Sequence, residues 1–219
     1  MNNITGLRFY INEDLNLVVD DHRGKAVKHK VISLHSFCKL VKNSVEVTDV
    51  QTGILPEGCV AYRESRDGRK FVVLELGSDR MDLTYEKTVY TDFPVPRLLY
   101  GFFLNTSGKI ESVHVAVADM GTLRENTRLY KYPFSNVAGF SLCIGQNRMP
   151  KINSLRQLGG IPHYIFSMPD NNDRYSSDRT RLGLEYRTLL ETLKDKPPEY
   201  YYTDVLIASG KTLADFIKG

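Results

Sequence analysis

The chain has 219 residues, a formal net charge of +3, 42% hydrophobic and 25% charged residues, the balance of an ordinary globular protein. No apolar run approaches the roughly 18 residues that a membrane-spanning helix needs, and the opening "MNNITGLRFY" lacks the basic-then-apolar order of a secretory signal. The small charge and the scatter of the basic residues give no ground for nucleic-acid binding.

The 13 Tyr and 10 Phe, with no Trp, point to a well-filled, β-rich core. Cys38, Cys59 and Cys143 form neither a pairing framework nor a metal-type spacing. A sparse, odd cysteine count without a signal fits a reducing cytoplasm.

In "LRFYINEDLNLVVDD" apolar residues alternate at Leu7, Phe9 and Ile11, then at Leu15, Leu17 and Val19. The break at Asn12-Glu13-Asp14 predicts a hairpin. In "VISLHSFCKLVKNSV", Leu34, Phe37, Cys38 and Val41 follow helical spacing. Ser33 stands as N-cap of a helix over residues 33–42. Cys38 is expected on the buried face of that helix, which is expected to pack on the sheet that follows.

Residues 58–118 carry strand signals throughout: "CVAYRE" and "KFVVLEL" about the turn "SRDG", then "KTVYTDF", "LLYGFFLN" and "SVHVAVA". Short strands at hairpin spacing predict an antiparallel meander. Pro94 and Pro96 bar a central strand where they stand. Beyond Thr122 the sequence is turn-rich. Helical spacing returns at Leu182, Tyr186, Leu189, Leu190 and Leu193, with Asp178 as cap and Pro197-Pro198 as a stop. A short helix, "KTLADFIK", closes the chain. The expected class is α+β, an antiparallel meander packed with helices. One domain is expected over 1–219, divided into hairpin and helix (1–52), meander and flap (53–150) and an irregular, helical remainder (151–219).

Two motif-like runs carry no chemistry. "SGKT" at 209–212 lacks the glycine a phosphate loop places five residues before Gly210, where Val205 stands. "DNNDRYSSD" offers Asp170, Asp173 and Asp178, but Tyr175 occupies the glycine position of a calcium loop. The five histidines lack partners at ligand spacing, so no metal or cofactor is expected. His163 alone lies in the irregular stretch after Cys143. Cys59 opens a strand and, like Cys38, reads as inert core.

Cys143 lies within "KYPFSNVAGFSLCIGQ", in which Pro133 and Gly139 place special demands on the backbone. Pro133, Asn136, Val137 and Gly139 ahead of Cys143-Ile144 resemble the active-site flap of ubiquitin-conjugating enzymes. Tyr132 stands where that flap has histidine, and Phe134 and Ser135 separate Pro133 from Asn136. "ILPEGCVAYRE", "FPVPRLLYGF", "VHVAVAD" and "RLYKYPFSNVAGFSLCIGQ" together resemble the prokaryotic ubiquitin-conjugating-like family D of PRTRC systems. Its members are bacterial proteins encoded on mobile elements beside a ThiF-type activating protein and a JAB-type peptidase.

The resemblance implies a ubiquitin-conjugating-like fold and a thioester to a ubiquitin-like protein on Cys143. Asn136 would shape the flap or donate to the oxyanion, and Gln146, Asn147, His163 or Asp170 would act on the incoming amine. Relay through a thioester needs a thiolate nucleophile and stabilisation of a tetrahedral oxyanion. Two alternatives stand beside it. A catalytically silent version of the fold would act as an interaction module in a mobile-element or plasmid-maintenance complex. A nucleic-acid-binding accessory would use "RYSSDRTRLGLEYRTLLETLKDK", where interleaved acidic residues favour a solvated helix face.

Overall fold

The alternating run at Leu7, Phe9 and Ile11 forms strand β1 (Leu7–Ile11), which pairs antiparallel with β2 (Asn16–Asp21). Asn12 closes the connection: Asn16 N donates to its Oδ1 at 2.8 Å and Leu15 N to its carbonyl at 3.0 Å. Residues 6–24, 26–44 and 52–218 are described by the structure, a computed structural model, with the backbone alone at 43 and 44. The chain divides into two units, Met1–Gln51 and Thr52–Gly219.

In the first unit a third strand, β3 (Lys28–Ser33), pairs with β2 and runs into helix α1 (Leu34–Ser44). Ser33 caps the helix as expected, its Oγ accepting from Ser36 N at 3.1 Å. β3 itself was not expected, because Lys28, His29 and Lys30 hide its alternation. Two expectations about α1 are corrected. The helix belongs to this unit and not to the body of the meander. Cys38 is exposed, as are Leu34, Leu40 and Val41. A three-stranded sheet has too little area to cover an amphipathic helix, and only Leu17, Val18 and Asp20 are buried within it.

In the second unit β4 (Cys59–Glu64) and β5 (Lys70–Leu76) form a hairpin about Gly68, whose φ is +80°. The chain then leaves the sheet for a separate pair, β6 (Asp79–Tyr85) with β7 (Thr88–Val95). It returns as β8 (Leu98–Leu104) beside β5, followed by β9 (Ile110–Ala118) beside β8. The meander over 58–118 is therefore antiparallel but not continuous. Pro94 sits in β7, in a two-stranded pair where a missing N–H is tolerated.

The outer side of β9 is shared between two short strands. β10 (Arg128–Tyr130) pairs with Val117 and Ala118, and β12 (Ser141–Leu142) with Val113 and His114. β11 (Val137–Ala138) completes a small hairpin with β12, and β13 (Ala208–Thr212) adds to β10. This division of one edge places the flap.

Both faces of the sheet are covered. Phe71, Val73, Leu99, Ala116 and Leu129 meet Leu213 and Phe216 of α4 (Leu213–Lys218). Val72, Tyr100, Phe102, Val113 and Val115 meet β6, β7, α2 (Ile161–Phe166) and α3 (Tyr186–Leu193) in the larger core. α3 starts at Tyr186 with Glu185 as N-cap. Asp178, expected as cap, lies in a separate 3₁₀ turn, because Gly183 at φ +65° breaks the helix before Tyr186. The fold is α+β with antiparallel sheets.

Candidate functional site around Cys143

The segment leading to Cys143 is held from below by Phe134. Its ring is fully buried and stands edge-on to Tyr132, Phe166, Phe93 and Tyr201, with centroids 5.2 to 6.1 Å away. The two residues between Pro133 and Asn136 thus include the anchor of the segment. Asn136 then takes a left-handed conformation, φ +63°, which Asn adopts more readily than most residues. The hairpin pairs Val137 with Leu142 and Ala138 with Ser141. Gly139, at φ +59°, opens its two-residue turn, where a side chain would be strained.

Asn136 ties this hairpin together. Its carbonyl accepts from Cys143 N at 2.7 Å and its amide donates to the Asp173 carbonyl at 2.8 Å. Its side-chain Nδ2 donates to Asp170 Oδ1 at 3.1 Å. On the other side, Arg179 donates to the Val137 carbonyl. After Cys143 the chain turns again, and Asn147 donates to the Ile144 carbonyl from its backbone N and from Nδ2 at 2.8 Å.

Cys143 is half-buried and lines a small cleft of about 40 Å³ with Asn136, Asp170, Asn147, Ser135 and Ile165. Leu142 and Ile144 are half-buried too, so alternation does not set Cys143 apart from its neighbours. Leu142 nevertheless packs on the main core. Ser135 is buried beside Asp170 in the same cleft.

Asp170, distant from Cys143 in the sequence, lines the same cleft. Its N donates to the Thr84 carbonyl at 2.7 Å, and its carbonyl accepts from Glu86 N at 2.9 Å, clamping it to the end of β6. Its carboxylate accepts from Asn136 and from the Tyr186 hydroxyl of α3. Burial pushes its pKa up to about 6, while the bonds from Tyr186 and Asn136 pull the other way. An aspartate poised there accepts protons near neutrality. No local signal in the turn-rich run around Pro169-Asp170 forecasts this, because the pairing with β6 is a long-range contact.

The other candidates separate from this cleft. His163 is exposed on α2 and lines a different cavity with Glu57 and Arg156. Gln146 is exposed and does not line the cleft, whereas Asn147 does. Cys59, half-buried on β4, has its thiol pushed up by burial. Among the described residues no group of three or more His, Cys, Asp or Glu could hold a metal ion. No described helix is long and apolar enough to cross a membrane. No protein-family description matches the chain, and no curated protein or solved structure does either.

Proposed function

We propose that the protein carries a ubiquitin-like modifier as a thioester on Cys143, received from a ThiF-type activating protein, as a ubiquitin-conjugating-like transferase. The observation that supports this most is the convergence of Cys143, Asn136 and Asp170 on one cleft, joined by the Cys143 N to Asn136 carbonyl and Asn136 Nδ2 to Asp170 bonds. In the first step Cys143 Sγ attacks the acyl carbon of the activated tail. The new S–C bond forms and the donor's thiolate leaves. In the second, an amine attacks the thioester, its N–C bond forms, Cys143 leaves as thiolate, and Asp170 takes the proton.

Asn136 orients Asp170 and closes the flap in this reading, which is a positioning role. The hairpin, stiffened by Phe134 below and Asn136 at its mouth, keeps the thiol from wandering. Incubation with the ubiquitin-like partner, its activating protein and ATP gives a thiol-sensitive adduct. Cys143→Ala abolishes the adduct and Cys59→Ala does not. An adduct that survives Cys143→Ala overturns the reading.

The second reading, a silent interaction module of a mobile-element or plasmid-maintenance complex, has an observation of its own. Leu7, Phe9 and Ile11 are exposed on one side of β1, and an apolar row of that kind serves a protein partner. No adduct under any condition, with partner binding lost in Phe9→Ser, would favour it.

A further inference from the structure

Beside the Gly139–Phe140 turn lies a second cavity, about 450 Å³, in the size range of small-molecule sites. Tyr132 and Phe140 supply its aromatic wall, and Lys131, Arg179 and Lys211 face it with Asp178 as the single carboxylate. Three cations against one anion leave a net charge of +2. Lys131 and Lys211 have no ion-pair partner among the described residues. Arg179 is half-buried, and its Nε is enclosed with no hydrogen-bond partner, while another nitrogen of the same guanidinium holds the Val137 carbonyl. Lys211 belongs to the "SGKT" run, presented here as a side chain from strand β13 and not from a loop wrapped on a phosphate.

We propose that this cavity binds a phosphate monoester of a small organic molecule, its phosphate among Lys131, Arg179 and Lys211 and its organic part against Tyr132 and Phe140. A phosphomonoester is close to dianionic at neutral pH, which matches the net +2, whereas a carboxylate supplies one charge. The aromatic wall and the volume leave inorganic phosphate unsupported on one side. Asp178 stays ionised, its carboxyl held low by the Ser176 hydroxyl first, and repels an anion bound beside it.

Phenyl phosphate is the probe, titrated calorimetrically into the full chain at low ionic strength. Binding is expected with Kd of about 0.1–1 mM, at least several-fold tighter than benzoate and than inorganic phosphate. The Lys131→Gln, Lys211→Gln pair removes two charge-assisted bonds and weakens binding about tenfold or more. Both lysines are exposed, so circular dichroism melts of that variant match the parent. Asp178→Asn removes the repelling carboxylate and tightens binding about threefold. Phenyl phosphate that binds no better than benzoate, or equally well to the double variant, overturns the proposal. Inorganic phosphate as tight as phenyl phosphate overturns the role of the aromatic wall. Cys143→Ala binds the probe like the parent, so this site and the thioester reading stand or fall separately. Loss of binding in that variant would move the probe to the Cys143 cleft and overturn the placement.

Discussion

Asp170 concentrates the electrostatics of the site in one side chain. Its pKa, raised by burial from 3.8 to about 6, means that the native state holds a proton the unfolded chain has already lost between those values. Its contribution to stability is therefore full below about pH 4 and is lost as pH rises to about 6, a difference of order 2–3 kcal/mol. Urea unfolding across pH 4 to 7 is expected to show that decline, and Asp170→Asn to flatten it. A parent profile already flat in that window would mean that the carboxylate is better solvated than its enclosure implies. Thiol burial gives a second expectation at this scale. Cys38 is exposed and Cys59 half-buried with its thiol pushed up, so iodoacetamide followed by mass mapping labels Cys38 first and Cys59 last.

At the scale of elements, the flap hairpin is stable because of what lies under it. Two residue pairs cannot hold a β-hairpin alone; the pairing of β12 with β9, the anchor ring of Phe134 and the Arg179 bond to Val137 supply the rest. Phe134→Ala is expected to cost about 3–5 kcal/mol in chemical unfolding and to raise the rate of Cys143 alkylation as the flap loosens. A loss of stability without any change at Cys143 would separate the anchor from the site. Strand β8 carries a different constraint. A Cβ built on Gly101 would stand 2.9 Å from the Phe71 ring and 3.2 Å from that of Phe216, where α4 packs on the sheet. Gly101→Ala is expected to destabilise by about 1–3 kcal/mol, read from the urea midpoint.

At the scale of the whole molecule, the buried hydrophobic residues among the described ones lie in the second unit, apart from Leu17 and Val18. A chain beginning at Thr52 is therefore expected to keep a cooperative melt and the near-ultraviolet signature of its packed tyrosines. Loss of cooperativity in that chain would mean that the first unit supports the core. In the first unit Leu7, Phe9 and Ile11 are exposed.

What the sequence determined by itself was local. Strand-type apolar runs from Cys59 to Ala118, cut by turn residues, are visible without a structure, and β5 and β8 read as continuous apolar runs because both faces of the sheet are covered. Ser33 as a cap, the turn at Gly68 and the edge position forced on Pro94 follow from backbone chemistry that each residue carries with it. Helical spacing at Phe37 and Cys38 gave a helix but not a cover for it, since burial depends on the area of the opposing sheet. The tertiary structure alone decided that β6 and β7 leave the sheet, that β9 divides its edge between β10 and β12, and that Phe134 is an anchor. It alone brought Asp170, 34 residues after Asn136, to the cleft of Cys143. Pairings over such separations are selected by the packing of the whole core, and a local pattern contains no trace of them.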